Sequence, residues 1–593
     1  MCNFQEETAL IRLIKYLKHL KKPAIAAAIF VVLSHGASLV LPVMMSSIIN
    51  NGIANEDVEY IKRVGLLMMA VSAAGVVISI LNSYYSSKTA TAYGKLLRRE
   101  IFLRVEELSQ SDIDKVGTPS LITRCTNDVK VVQDFVLQGL RMIISVPVML
   151  VGGVFMAFFL NPKLATIIFA IVPIIGVIAA VVLKYVLPLF RKRQKLIDAV
   201  NRFIREKLTG IRVIRAFNRS EHEDARFDEK NEALSAITLK FQRIMSVLIP
   251  ICIVLVICAL DCLIMVAAKN LDALHYIEDA AKLMTAIGDL QAFVIYMITI
   301  VSAVTMAAAM FVIVPRAKIS ANRIIEVLDI EPGIKDPESP EKINEDMKGT
   351  VEFRDVCFGY EDAQSYVLTD VSFTAEKGKV TAIIGSTGSG KTTIANLIPR
   401  FYDVTKGAVL FDGVDVRQLS QDDLHSRISL VPQKSVLFSG TIEENLLYGD
   451  ENATAEQMRK ALEISQSAEF VDKLPEGINS VLSQNGTNLS GGQKQRLSIA
   501  RALTRKAEVY IFDDSFSALD FKTDALLRKA LKENIDATVI IIAQRVGTII
   551  DADKIIVLDE GRVAGIGKHS QLMESCSVYS EIYHSQISEE VAL

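Results

Sequence analysis

Val380-Thr-Ala-Ile-Ile-Gly-Ser-Thr-Gly-Ser-Gly-Lys-Thr392 reads as a buried strand, a glycine-bearing loop and the opening of a helix. An apolar run of this length bounded by glycine suits a strand covered on both faces. Gly385, Gly388 and Gly390 let the loop turn its N–H groups inward, and with Ser386, Thr387 and Ser389 it forms a cradle for phosphate at a helix start. Lys391 is set to reach the terminal phosphates, and the Thr392 hydroxyl, with Thr393 beside it, to ligate a divalent cation. A chance match to the loop alone would not supply the strand before it and the helix after it.

Working outward, short β-runs alternate with helical patterns from Thr350 to the C-terminus, which predicts an α/β domain with its own core over 350–593. The N-terminal half is different. The chain has 593 residues, too many for one domain, with 50% hydrophobic and 22% charged residues, so a large apolar fraction must meet lipid. Apolar segments near 24–49, 64–87, 135–160, 164–187, 244–268 and 286–314 each reach the about 20 residues that a bilayer crossing requires. Only Asn161-Pro-Lys163 separates the third from the fourth. Long polar arms with helical periodicity, 88–134 and 188–243, join the second span to the third and the fourth to the fifth.

The arms carry Lys95, Arg98, Arg99, Arg104, Arg191, Lys192 and Arg193, whereas the short loops 50–60 and 270–281 are acidic. The positive-inside rule therefore puts the arms, both termini and everything past residue 315 in the cytoplasm of a multi-pass membrane protein. Residues 1–22 form a basic amphipathic helix, with Leu10, Ile11, Leu13, Ile14, Leu17 and Leu20 at helical spacing between Arg12, Lys15, Lys18, Lys21 and Lys22. That pattern suits the anionic face of a membrane better than a helix packed on protein, and it lacks the short apolar core of a cleavable signal. The membrane domain spans 23–315, and 316–349 is a linker holding an amphipathic helix and Pro332, Pro337 and Pro340. A net charge of −3 excludes a nucleic-acid partner of the phosphate-contacting kind. Seven cysteines lack metal-ligand spacing, and Cys252, Cys258 and Cys262 read as small core residues.

Within the spans the ionisable residue singled out is Asp261, a candidate for the substrate path; its alternatives are an outer-interface position or a structural hydrogen bond. The spans are otherwise apolar, with Phe155, Phe158, Phe159, Phe293, Tyr296 and Phe311 serving either packing or a greasy cavity.

Further motifs follow in order. Tyr360 stands in Phe358-Gly-Tyr360 and Gln433 in Val431-Pro-Gln433; Leu489-Ser-Gly-Gly-Gln493 opens another helix; Val509-Tyr-Ile-Phe-Asp513 is a strand ending in a carboxylate; Ser517-Ala-Leu-Asp520 follows it. Together with the phosphate loop these resemble the ATP-binding cassette (ABC) transporters, and the fused membrane domain with long cytoplasmic arms resembles their exporters. The resemblance covers nearly the whole chain. It implies six transmembrane helices of exporter type with an α/β P-loop ATPase, coupling tips near Asp112–Pro119 and Gly210–Glu221, and ATP and Mg²⁺ as cofactors. It also implies that Tyr360 stacks on adenine, that Thr392, Gln433 and Asp513 serve Mg²⁺, and that Ser490, Gly491, Gly492 and Gln493 cap ATP held by an opposite subunit. Asp520 would lie in the loop crossing that interface.

Two positions depart from the pattern. Where the family usually carries a catalytic Glu after the strand carboxylate this chain has Asp514, one methylene shorter, and where it carries a switch His this chain has Gln544. A misplacement near 1 Å can cost about a hundredfold, and an amide cannot carry an imidazolium charge. The resemblance therefore extends to the degenerate-site subunit of bacterial heterodimeric multidrug exporters. It implies a non-identical half-transporter as partner, the plasma membrane as location and hydrophobic or amphiphilic small molecules as substrates. A homodimeric lipid or peptide exporter and a non-transporting ATP-binding regulator are the alternatives.

Overall fold

The computed structural model describes residues 9–272, 280–343, 348–360, 363 and 365–591. It divides into two compact units, one of residues 1–106 and 117–330 and one of 107–116 and 331–593.

Among the described residues the first unit is built on six long helices: α1 (Lys21–Ser47), α2 (Val58–Glu107), α3 (Val129–Leu160), α4 (Pro162–Thr209), α5 (Ser220–Asp272) and α6 (Ala280–Leu328). Each expected span falls on one of them. Among the described residues, the stretches Ala9–Ile53, Val58–Glu107, Thr118–Leu160 and Ile287–Ala307 are long and apolar enough to cross a membrane. For the expected spans 164–187 and 244–268 the backbone is helical, while many of their side chains, including that of Cys252, lie outside the described ones, as does that of Phe311. Part of the loop 270–281 also falls outside the described residues.

The 50 residues of α2 and 53 of α5 correspond to about 75–80 Å at 1.5 Å per residue, far more than a hydrocarbon core of about 30 Å, so both run on beyond it as the arms. Helix α6 packs against α1 and α3, and α4 pairs with α5. Phe293 and Tyr296 are fully buried in the α1–α3–α6 core, with the Tyr296 hydroxyl donating to Leu39 O at 2.7 Å, so these two aromatics are packing residues. Phe155, Phe158 and Phe159 are exposed and line an apolar cleft on α3 and α4.

Four expectations change. The helix at the N-terminus packs on protein along one face: Leu13 is fully buried, Tyr93 donates to its carbonyl at 3.1 Å, and Arg12 grips Asp329 with two bonds of 2.7 Å. The sixth helix does not stop at Pro315. It continues to Leu328 because Ala317, Ala321, Ile324 and Val327 form a buried stripe at helical spacing, which outweighs the one backbone bond proline removes. Cys258 and Cys262 are exposed rather than core. Finally, the spans are less apolar than supposed, since His35, Arg141 and Asp289 lie on α1, α3 and α6 inside them. Asp289 is buried and accepts from Ser46 Oγ at 3.0 Å and Asn50 Nδ2 at 3.1 Å.

Among the described residues the second unit holds twelve strands, β1 (Val351–Phe358), β2 (Leu368–Ala375), β3 (Val380–Gly385), β4 (Lys406–Phe411), β5 (Val414–Asp415), β6 (Ile428–Val431), β7 (Gly440–Thr441), β8 (Val481–Leu482), β9 (Val509–Asp513), β10 (Thr538–Ile542), β11 (Lys554–Asp559) and β12 (Arg562–Gly567). One sheet has the order β12-β11-β3-β10-β9-β6, parallel except for the edge strand β12. An antiparallel sheet β2-β1-β4-β5 covers one side. Alternation along the strands divides the core: Ile383, Ile511 and Ile540 face one cluster, and Ala382, Ile384, Phe512 and Ile541 face the other. Both faces are covered, which is why these strands read as unbroken apolar runs.

The expected tips of the arms are breaks in helix. The first is the short helix Gln110–Val116, ended by Gly117 at φ +81°, and the second is Ile211–Ala216. Residues 107–116 group with the α/β unit, where the Asp112 carboxylate accepts from Gly333 N at 2.9 Å and Asp114 accepts from the Tyr402 hydroxyl at 2.8 Å.

Candidate nucleotide site

Open parallel sheets bind ligands at the carboxyl ends of their strands. Here β3, β9 and β10 lie side by side and end at Gly385, Asp513 and, two residues past Ile542, Gln544. The phosphate loop then enters helix α7 (Lys391–Leu397). Gly385 must be glycine because a Cβ would stand 2.2 Å from Leu558 O, and Gly390, at φ +95°, would bring a Cβ to 2.5 Å from Leu368. Lys391 is buried at the loop's centre, its ammonium donating to Gly385 O at 2.9 Å and Ser386 O at 2.7 Å; burial lowers its pKa.

The Thr392 hydroxyl donates to Asp513 Oδ1 at 3.2 Å. Adjacent ligands of an octahedral Mg²⁺ at 2.0–2.1 Å stand about 3 Å apart, so these two oxygens fit the ion, with phosphate and water expected for the remaining positions. Burial, together with the neighbouring Asp514, pushes the Asp513 carboxyl up to about 6, and a divalent cation is the charge that would hold it ionised.

Asp514, only 9% exposed, sits at φ +48° just past β9, its N–H held by Ile542 O at 2.9 Å. Its Oδ2 accepts from Gln544 Nε2 at 2.9 Å and from Gln433 Nε2 at 3.2 Å. A carboxylate can only accept, so both amides must turn their nitrogens toward it. The two residues that depart from the family pattern are thus bonded to each other, and the amide of Gln433 is engaged with the same oxygen.

Tyr360 is 38% exposed, with its hydroxyl 3.2 Å from Thr393 Oγ1 on the first turn of α7 and its ring edge-on to Phe358 and Tyr402. It borders a cleft of about 400 Å³ lined also by Gly359, Tyr402 and Thr405 and, from the first arm tip, Ser111 and Asp114. The open ring suits a base stacked beside the phosphate loop.

The signature lies beside a separate apolar cluster, with Leu489 and Leu497 packed with Leu437 and Leu446. Ser490 caps helix α8 (Gly491–Thr504) in a reciprocal box with Gln493, by bonds of 3.3 Å and 2.9 Å. Ser490 and Gly491 are exposed, and nothing lies within 4 Å of where a Gly491 Cβ would be. Asp520 caps helix α9 (Phe521–Asn534), accepting from Thr523 N at 3.0 Å and Thr523 Oγ1 at 2.7 Å. Asp261 is exposed on α5. One residue escaped sequence reading. Gln586, on the C-terminal helix Ser577–Val591, donates to Gln544 O at 2.7 Å and accepts from Val546 N at 2.8 Å, clamping the backbone on both sides of Arg545.

A P-loop ATPase fused to a membrane domain of long helices defines an ATP-driven transporter. Residues 24–304 match the family model for the ABC transporter transmembrane region and residues 368–517 that for the ABC transporter cassette. An uncharacterized ABC transporter ATP-binding protein of Mycobacterium tuberculosis is 38% identical over 554 residues, covering 93% of each chain. An ATP-dependent lipid A-core flippase of Desulfotalea psychrophila is 31% identical, covering 90% of this chain and 91% of its own. Among solved structures, a bacterial Atm1-family ABC exporter with ATP bound superimposes with TM-score 0.76 at 25% identity, covering 96% of this chain and 98% of that one. The chain belongs to the ABC transporter family, as an exporter half-transporter with one membrane domain and one nucleotide-binding domain. Its ATPase domain couples ATP hydrolysis to transport.

Proposed function

We propose that the chain is one half of a heterodimeric exporter of hydrophobic or amphiphilic compounds, binding ATP firmly at its own P-loop and hydrolysing it slowly. Its signature, Ser490–Gln493, completes the faster site on a non-identical half-transporter. The observation that carries this reading is the engagement of Asp514 Oδ2 by two neutral amides. A general base must offer a lone pair to water, and its efficiency falls when neighbouring donors stabilise the anion. The carboxylate is also one methylene short of its family counterpart, while Tyr360, Lys391, Thr392 and Asp513 keep the geometry that binding of ATP and Mg²⁺ requires. The similarity to a lipid A-core flippase supports an amphiphilic substrate. The plasma membrane of a bacterium, with the cassette in the cytoplasm, is the setting.

Native mass spectrometry of the chain purified from its own membrane tests the assembly. The expected result is a complex with a second, non-identical half-transporter that carries Glu and His at the positions of Asp514 and Gln544. A homodimer would overturn the asymmetric reading and leave Asp514 as the base of both sites.

A further inference from the structure

Hydropathy averaging hides a polar face where α2 and α3 meet. Ser83, Tyr84, Ser87, Lys88, Thr91 and Lys95 recur at intervals of one, three and four on α2 and line an open surface cleft of about 790 Å³. Arg141 of α3 reaches across, its Nη2 donating to Ser83 Oγ at 2.9 Å, Ser87 Oγ at 3.3 Å and Ser83 O at 3.4 Å. Its Nε is buried without a hydrogen-bond partner among the described residues. The Lys88 ammonium lies 5.5 Å from the centre of the Tyr84 ring. Among the described residues no carboxylate forms an ion pair with Arg141, Lys88 or Lys95.

Depth gives the arrangement its meaning. The cleft begins at Ile80, inside the expected span 64–87, and ends at Lys95, beyond it, on the side from which the chain runs on to residues 107–116 of the cassette unit. It therefore straddles the apolar boundary where the span passes into the arm. Arg141, inside the expected span 135–160, stands at a depth where an ionisable group usually marks a partner or a path, and Lys88 and Lys95 follow it just beyond the apolar zone with no carboxylate partner among the described residues. Serine hydroxyls that accept from Arg141 still have a proton to donate, and guanidinium and ammonium groups are the usual ligands of phosphate oxygens. The exposed Val76, Val77 and Ile80 continue the same helix into the apolar zone, where a hydrocarbon chain would lie.

We propose that this cleft binds the headgroup of an anionic, phosphate-bearing amphiphile, with Arg141, Lys88 and Lys95 neutralising the phosphate and Ser83 and Ser87 donating to it. The same chemistry could come from a transported lipid or from a resident lipid of the bilayer. Binding itself does not depend on the exporter reading above; only the choice between these two sources does.

The test titrates phosphatidic acid and phosphatidylcholine, separately, onto the intact complex in native mass spectrometry. The wild-type complex should prefer phosphatidic acid, and Arg141→Gln with Lys88→Gln should weaken that binding about thirtyfold, the weight of two cations near a membrane surface. Arg141→Lys, which keeps the charge and preserves the fold, should retain most of it. Equal binding of the two lipids, or an unchanged preference in the double variant, would overturn the site. Proteoliposomes holding a quenchable fluorescent phosphatidic acid then separate the sources. ATP-driven movement lost in the double variant marks a transported lipid, and movement unaffected by the loss of binding marks a resident one; both support the headgroup site. Absence of ATP-driven movement of any amphiphile, with selective binding intact, would refute the exporter reading alone.

Discussion

Two turns of the cassette open helices on glycine and face phosphate, and they differ in what they leave free. At the P-loop everything that holds ATP is formed, yet the carboxylate that should act on water is bonded to Gln433 and Gln544. At the signature the Ser490–Gln493 box is self-contained and Gly491 stays open on the surface. Under the proposed function, one region binds with its chemistry muted and the other acts on phosphate held by a partner. Binding and hydrolysis are separable properties, set by different residues a few ångströms apart.

The sharpest way to break this comparison is to put a charge on the open turn. A Cβ at Gly491 meets no atom within 4 Å, which leaves room for Gly491→Asp, and an acidic residue in a first helical turn does not oppose the helix. Thermal stability should therefore hold while ATPase of the assembled complex falls on the order of a hundredfold, through repulsion of a phosphate. Lys391→Ala, which touches only the muted site, should cost the complex far less. If Lys391→Ala proved the more damaging in a steady-state ATPase assay, the two turns would have exchanged roles.

Repairing the muted site is the next largest effect. Asp514→Glu with Gln544→His lengthens the carboxylate and replaces one of its two amide donors by an imidazole that can carry charge, and turnover of the complex should rise about tenfold. Nucleotide affinity, read by equilibrium binding, should barely change, because Lys391 and Thr392 are untouched. A site that stays slow after both changes is limited by something other than this carboxylate.

How much of this was legible in the sequence depends on whether chemistry dictates spacing. Gly385 to Thr392, Asp513 and Ser490 to Gln493 announce themselves because phosphate and Mg²⁺ demand those residues at those intervals. The convergence of Gln433 and Gln544 on one oxygen of Asp514 does not, since 81 and 30 residues separate the partners and only the sheet order unites them. Arg141, His35 and Asp289 were missed for another reason: a long apolar window dilutes one polar residue, and what reveals it is the neighbour it meets on the next helix. The run of α6 through Pro315 was likewise set by buried contacts rather than by local propensity.

Gln586 offers a smaller, more local lever on the same comparison. Gln586→Ala removes both of its bonds to the backbone around Arg545, each contributing about 0.5–1.5 kcal/mol. Hydrogen exchange at the Val546 amide should speed roughly tenfold per 1.4 kcal/mol lost, and kcat should shift with KM unchanged. Unaltered exchange would mean that the clamp does not restrain the Gln544 segment.

The smallest effect is expected at Asp520. The family resemblance gives it a place in a loop crossing between subunits, whereas its carboxylate here is bonded to Thr523 at the start of α9. If capping is its main work, Asp520→Asn should be nearly silent, because Asn caps as well as Asp, and Asp520→Ala should lower Tm by less than about 4 °C. ATPase should then follow the folded fraction in both variants. A loss of ATPase in Asp520→Asn at unchanged Tm would show instead that the charge itself acts across the interface, and would bring Asp520 over to the side of the signature.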